Sequence, residues 1–136
     1  MSEPRPGAVA AVLFDMDGLL IDTERIWEAA RERITREAGG TWPADAQARM
    51  MGMSTPEWTQ WMHDELGVRL TPTQIRDAVL ERLERGYRER VPLMPGARDA
   101  VGRMGARWPL AVASSSPRRL LEVVLAETGL EPHFAA

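Results

Sequence analysis

Residues 12–24 read VLFDMDGLLIDTE. The run that leads into this stretch, Val9–Phe14, is short, apolar and partly β-branched, the pattern of a parallel strand covered on both faces. It stops at Asp15, Asp17 follows two residues later, and Gly18 comes next. Open α/β sheets form their sites beyond the carboxyl ends of the strands, so both carboxylates stand where a site is expected. Gly18 permits the turn that would bring them to one place. A second run, Trp108–Ala113, reads as another such strand, with Pro109 at its start where a missing N–H is tolerated. It ends in Ser114, Ser115 and Ser116.

Helices fill most of the interval. Thr23–Ala38 carries Ile26, Trp27, Ala30, Ile34 and Ala38 at helical spacing, and Gly39-Gly40 stops it. Ser54-Thr55-Pro56-Glu57 is a capping box that opens a helix carrying Trp58, Trp61, Met62 and Leu66, ended by Gly67. Thr71-Pro72-Thr73-Gln74 repeats the device ahead of Ile75, Ala78, Val79, Leu83 and Tyr87. Two prolines at residues 92 and 95 mark a boundary. A short helix near Ala97–Met104 precedes the second strand. Ser116-Pro117 predicts the start of a last helix, with Ser116 as its N-cap and Pro117 at its first position. Leu120, Leu121, Val124 and Leu125 form its buried face, Gly129 ends it, and LEPHFAA reads as the approach to a further strand. The expected fold is therefore α/β: an incomplete parallel sheet of Rossmann-like type built from residues 1–20 and 94–136, with a helical insert over 21–93. An insert hung directly after a site reads as a lid.

Bulk properties narrow the classes. With 136 residues, 44% hydrophobic and 27% charged, the chain has the balance of one globular domain. A net charge of −3 gives no general attraction to nucleic acid or to an anionic membrane, so neither is expected as a partner. No apolar stretch approaches the length of a membrane span. The start, MSEPRPG, lacks the apolar core of a secretory signal and reads as a frayed tail. The absence of cysteine excludes disulfides, cysteine nucleophiles and thiolate metal sites, and it fits a cytoplasmic protein. All 17 basic residues are arginine.

A carboxylate at a strand end suits attack on phosphorus, which splits one hard transfer into two easier ones through an aspartyl-phosphate. A second carboxyl beside it can protonate the leaving oxygen and then deprotonate water. The phosphoryl charge must be neutralised by Mg²⁺, hydroxyls and N–H donors, which Ser114–Ser116 at a helix start can supply. Blander readings exist. Asp-x-Asp-Gly alone is compatible with a turn and Ser-Ser-Ser-Pro with a simple cap. An EF-hand loop is excluded, because Leu19 stands at its fifth position and Gly18 comes too early. The combination of buried strand, Asp-x-Asp-Gly, helical insert, second strand and serine-capped helix is far more specific than its parts.

That combination resembles the haloacid dehalogenase (HAD) superfamily. AVLFDMDGLLIDTE resembles its first motif and LAVASSSP its second, and LMPGARDAV matches the approach to its core. The helical insert resembles the cap of the β-phosphoglucomutase-like group of sugar-phosphate phosphatases. The resemblance implies Asp15 as nucleophile, Asp17 as general acid/base, and a Mg²⁺ ion held by the Asp15 carboxylate and the Asp17 backbone carbonyl. It implies the Ser114 hydroxyl and the Ser115 N–H as phosphate ligands, and a small phosphorylated sugar or polyol as substrate. Dehalogenase members lack an acid at the position of Asp17, which favours phosphotransfer. Mutase members carry His where Trp27 stands, which favours hydrolysis over a sugar-phosphate mutase.

The sequence departs from the family pattern at its far end. A third motif with a Lys or Arg, and a fourth with the acids that complete the Mg²⁺ site, normally lie beyond residue 136. There is no lysine, and Arg118 and Arg119 sit within a helix start. The expectation is a truncated member, and the alternative to the phosphatase is a catalytically incomplete fragment. Trp42, Trp58 and Trp61 can line a sugar-binding face, although the spacing of Trp58, Trp61 and Met62 fits a core. Met50–Met53 fits either a cap loop facing substrate or a packed helix end, and His63 reads as a solvated helix residue.

Overall fold

A computed structural model describes residues 7–135. The frayed tail expected from MSEPRPG lies, up to residue 6, outside them. The elements run β1 (Val12–Asp15), α1 (Glu24–Glu37), α2 (Ala46–Met50), α3 (Thr55–Glu65), α4 (Pro72–Glu89), α5 (Ala97–Gly105), β2 (Leu110–Ala113) and α6 (Arg118–Thr128). A 3-10 turn follows at Glu131–His133. The chain divides into two compact units, one of Met1–Glu24 with Tyr87–Ala136, the other of Arg25–Gly86.

In the first unit β1 and β2 pair in parallel, with Val12 opposite Leu110 and Asp15 opposite Ala113. Val12 N–H donates to the Pro109 carbonyl at 3.0 Å, so the ladder begins at the proline, which has no N–H to offer. Alternate residues face opposite sides of a strand. The side carrying Val12, Phe14, Leu110 and Val112 is partly covered, and Phe14 meets Phe134 edge-to-face at 6.1 Å. The other side is open, with Leu13 70% exposed. This corrects the reading of Val9–Phe14 as covered on both faces. The strand starts three residues later than expected, and among the described residues no element packs over Leu13. Beyond the 3-10 turn, Phe134 is extended and Ala135 N–H donates to the Leu110 carbonyl at 2.8 Å. One backbone bond thus runs beside β2 where the approach to a further strand is expected, and among the described residues no third strand forms.

After β1 the chain folds back on itself. Gly18, at φ +80°, turns it, and its N–H donates to the Ile21 carbonyl at 2.9 Å. The N–H groups of Leu20 and Ile21 converge on the Met16 carbonyl at 3.0 and 3.2 Å. Met16, Leu20 and Ile21 are all buried, so three apolar side chains anchor the turn. Asp22 N–H donates to the Pro92 carbonyl, and Met94 N–H to the Leu20 carbonyl, both at 2.8 Å. These bonds tie the outgoing and returning passages of the chain together next to the strand end.

The second unit is helical. Ile34, Trp58, Met62, Val79 and Leu83 are buried in it, as their helical spacing predicts. Both capping boxes form. Ser54 N–H donates to Glu57 Oε2 at 2.6 Å. Thr71 N–H donates to Gln74 Oε1 at 3.0 Å, and Gln74 N–H to Thr71 Oγ1 at 3.2 Å. Gly40 is fixed by close approach: a Cβ there would lie 2.5 Å from the Leu66 carbonyl oxygen and 2.9 Å from the Thr35 methyl. The core reading of Trp58 and Met62 holds, at 2% and 0% exposure. Met50 packs inside while Met51 is exposed, which divides the Met50–Met53 stretch between its two readings. Exposed His63 donates from Nδ1 to the Leu70 carbonyl at 2.8 Å.

Candidate active site

The first unit brings the predicted residues together at the carboxyl ends of its two strands. Asp15 closes β1 and is exposed. Its register partner Ala113 closes β2, so Ser114 leaves the ladder directly beside it. Met16 is buried at 1% exposure, and this anchor sends Asp17 back over the strand ends. There Asp17 Oδ2 accepts two hydrogen bonds, from Ser114 Oγ at 3.2 Å and from Ser116 Oγ at 2.6 Å. Ser116 N–H donates to Ser114 Oγ at 3.0 Å, closing the triangle. Asp17 Oδ1 is buried and has no hydrogen-bond partner.

Ser116 differs from its expected role. The helix it was to cap starts at Arg118, with Pro117 in extended backbone at the N-cap and no side-chain capping bond. The Ser116 hydroxyl is turned instead to Asp17, 99 residues away along the chain. At 2.6 Å this bond lies at the short end of the range for hydroxyl donors. Ser115 is exposed next to this cluster. Arg118 is engaged with Glu122 at 3.0 Å, so it is committed along its own helix rather than toward the aspartates.

The donor set near Asp15 and Asp17 is made of oxygen, the ligand type that Mg²⁺ takes. The partnerless Oδ1 of Asp17 marks an unsatisfied acceptor within it. Mg²⁺ usually keeps several waters and uses one or two carboxylates plus substrate phosphate, so these residues fit such an ion as a partial set. Among the described residues no group of three or more His, Cys, Asp or Glu converges on one point.

In the helical unit, Arg31 is a functional-looking residue that sequence reading missed. Its side chain is buried, and its guanidinium carbon lies 4.8 Å from the Trp27 ring centre and 4.6 Å from that of Trp58. The two rings meet edge-to-face at 6.1 Å. Arg31 Nη1 donates to Gln47 Oε1 at 3.2 Å, and Nε has no partner. Burial lowers its pKa to about 10, so it stays charged at neutral pH. The available signal was its place one turn after Trp27, on the stripe that carries Ala30 and Ile34. An open groove of about 550 Å³ in this unit is lined by Met53, Pro56, Gln60, Trp61, Asp64 and Glu65, among others. Trp61, read as a core residue, is half-buried in its wall with Arg49 over the ring at 5.1 Å.

Comparison with known proteins identifies the family. The family description "haloacid dehalogenase-like hydrolase" matches residues 9–136. The phosphorylated carbohydrates phosphatase of Thermotoga maritima is 31% identical over 125 residues, covering 91% of this chain and 58% of its own length. Hexitol phosphatase B of Escherichia coli K12 is 30% identical, covering all of this chain and 62% of its own. The crystal structure of a haloacid dehalogenase-like protein from Agrobacterium tumefaciens superimposes with a TM-score of 0.70 at 25% identity, over 94% of this chain and 57% of that one. The chain thus spans little more than half the length of these relatives. Among the described residues no helix is long and apolar enough to cross a membrane.

Proposed function

Because this chain belongs to the haloacid dehalogenase-like hydrolases, we propose that it serves the Mg²⁺-dependent hydrolysis of a small phosphomonoester, a sugar or polyol phosphate, through an aspartyl-phosphate on Asp15. The observation that carries this reading is the meeting of Asp17, Ser114 and Ser116 at the strand ends that deliver Asp15. The phosphatase names of the two curated relatives support the substrate class.

In this reading an Asp15 oxygen attacks phosphorus and the bond from phosphorus to the substrate oxygen breaks. Asp17 gives its proton to that leaving oxygen as it departs. A water then attacks the phosphorus of the aspartyl-phosphate, Asp17 takes the water's proton, and Asp15 is released with free phosphate. The Ser114 hydroxyl and the Ser115 N–H bind the phosphoryl oxygens through both steps. Mg²⁺, held by the Asp15 carboxylate and the Asp17 backbone carbonyl, would supply charge neutralisation on the phosphoryl group. The helical unit, inserted in the chain directly after the acid pair, is read as a lid.

A second reading, a catalytically incomplete chain, is favoured by one observation: Leu13 beside the nucleophile is 70% exposed, so this side of the site is open to water. One assay separates the two. Hydrolysis of p-nitrophenyl phosphate is measured with Mg²⁺ for the chain and for Asp15→Asn. Turnover that disappears in Asp15→Asn supports the phosphatase. Equal rates, or none above background, leave the incomplete chain.

A further inference from the structure

The mechanism above uses Asp17, Ser114 and Ser115 but assigns nothing to Ser116. Yet Ser116 makes the shorter of the two hydrogen bonds to the acid/base carboxyl, 2.6 Å, at the short end of the range for hydroxyl donors. The Ser114 bond to the same oxygen is 3.2 Å, beyond the ordinary limit for hydroxyl donors.

We propose that Ser116 is a positioning residue: its hydroxyl holds the Asp17 carboxylate over the strand ends while Ser114 turns its own hydroxyl proton to the phosphate. This rests on the reading of Asp17 as acid/base given above. The argument is one of proton count. A serine hydroxyl has a single proton to donate. In this structure both protons go to Asp17 Oδ2, so phosphate can be bound by Ser114 only if that proton swings away. Ser114 Oγ is itself fixed by the Ser116 N–H at 3.0 Å, so the oxygen stays in place and only the O–H direction changes. The longer, weaker bond is the one surrendered. Asp17 is then left with Ser116 as its one remaining hydroxyl partner of the two.

The tether engages one carboxylate oxygen and leaves the other, Oδ1, with no partner. Ser116 and Ser114 also divide the strand end chemically. One hydroxyl serves the enzyme's own carboxylate, and the other serves the substrate's phosphate.

The test compares Ser116→Ala, Ser116→Thr and Ser114→Ala, with p-nitrophenyl phosphate as substrate and inorganic phosphate as competitive inhibitor. Misplacing a catalytic group by about 1 Å costs on the order of 100-fold in rate, so Ser116→Ala should lower kcat by about 10- to 100-fold. Its KM and phosphate inhibition constant should stay within about twofold, since phosphate binding is assigned to other groups. Ser116→Thr, which keeps the hydroxyl, should restore most of kcat, and Ser114→Ala should instead weaken phosphate. A Ser116→Ala variant with weakened phosphate and unchanged kcat, or with no change in either, overturns the proposal. If the wild-type chain shows no turnover, the phosphatase reading fails but the tether is still read by NMR at fixed pH. The ¹³Cγ resonance of Asp17, assigned by its loss in Asp17→Asn, should move more in Ser116→Ala than in Ser114→Ala and return in Ser116→Thr. A resonance unmoved by Ser116→Ala overturns it.

Discussion

At the scale of single residues, two buried polar groups ask for explanation, and they answer differently. Asp17 finds its donors across the chain and sits where chemistry is expected. Arg31 finds aromatic faces instead of a carboxylate, between Trp27 and Trp58. Burying a guanidinium costs free energy, as the lowering of its pKa to about 10 records. The two ring faces and the bond to Gln47 offset that cost. Arg31→Ala removes both stacks and leaves a hole, and should destabilise by about 2–3 kcal/mol in urea unfolding. Arg31→Met keeps most of the volume and removes the desolvation cost, so it should lie within about 1 kcal/mol of wild type. A Met variant as unstable as the Ala variant would show that the charge itself is required. Asp15, Asp17 and Ser114 were legible in the sequence because each follows an apolar run at fixed spacing. Ser116 was legible only as a cap, since Ser-Pro is a local signal and its partner lies 99 residues away. Arg31 was missed because an arginine in an amphipathic helix ordinarily marks the solvated face.

Elements show the same division between local and distant causes. The helices were readable because their spacing and their caps are written within a few residues. The Ser54–Glu57 box is the clearest case, and it makes a pH-dependent prediction. The Ser54 N–H bonded to Glu57 holds that carboxyl below its usual 4.5. A folded-state pKa below the unfolded one means the stabilisation is present above about pH 4.5 and is lost as pH falls through the lower folded value. Glu57→Gln should therefore be less stable than wild type at pH 7, and the gap should close as pH falls through the lowered folded value. A gap that persists unchanged at low pH would mean the box contributes no charge-dependent stability. The strands were legible in position but not in coverage. An apolar run states that a strand prefers burial, and only the rest of the fold decides what covers it. Leu13 and Val9, at 70% and 58% exposure, show that preference unmet among the described residues.

The molecule as a whole couples a small parallel sheet, with the acids at its strand ends, to a helical unit inserted directly after them. That order was readable because the insert begins one turn after Gly18 and the chain returns at Pro92–Pro95, where backbone bonds to Leu20 and Asp22 secure the crossing. Substrate identity was not readable, since it depends on pocket shape, and periodicity does not encode that. The central claim is that Asp15 becomes phosphorylated during turnover. It is tested most directly by quenching the chain with borohydride in the presence of Mg²⁺ and p-nitrophenyl phosphate, since borohydride reduces an aspartyl-phosphate to homoserine, and mapping the product by peptide mass spectrometry. The account predicts reduction at Asp15 and no reduction at any carboxylate in Asp15→Asn. Phosphate release with reduction at another residue or at none, or a chain that neither releases phosphate nor is reduced, would contradict it.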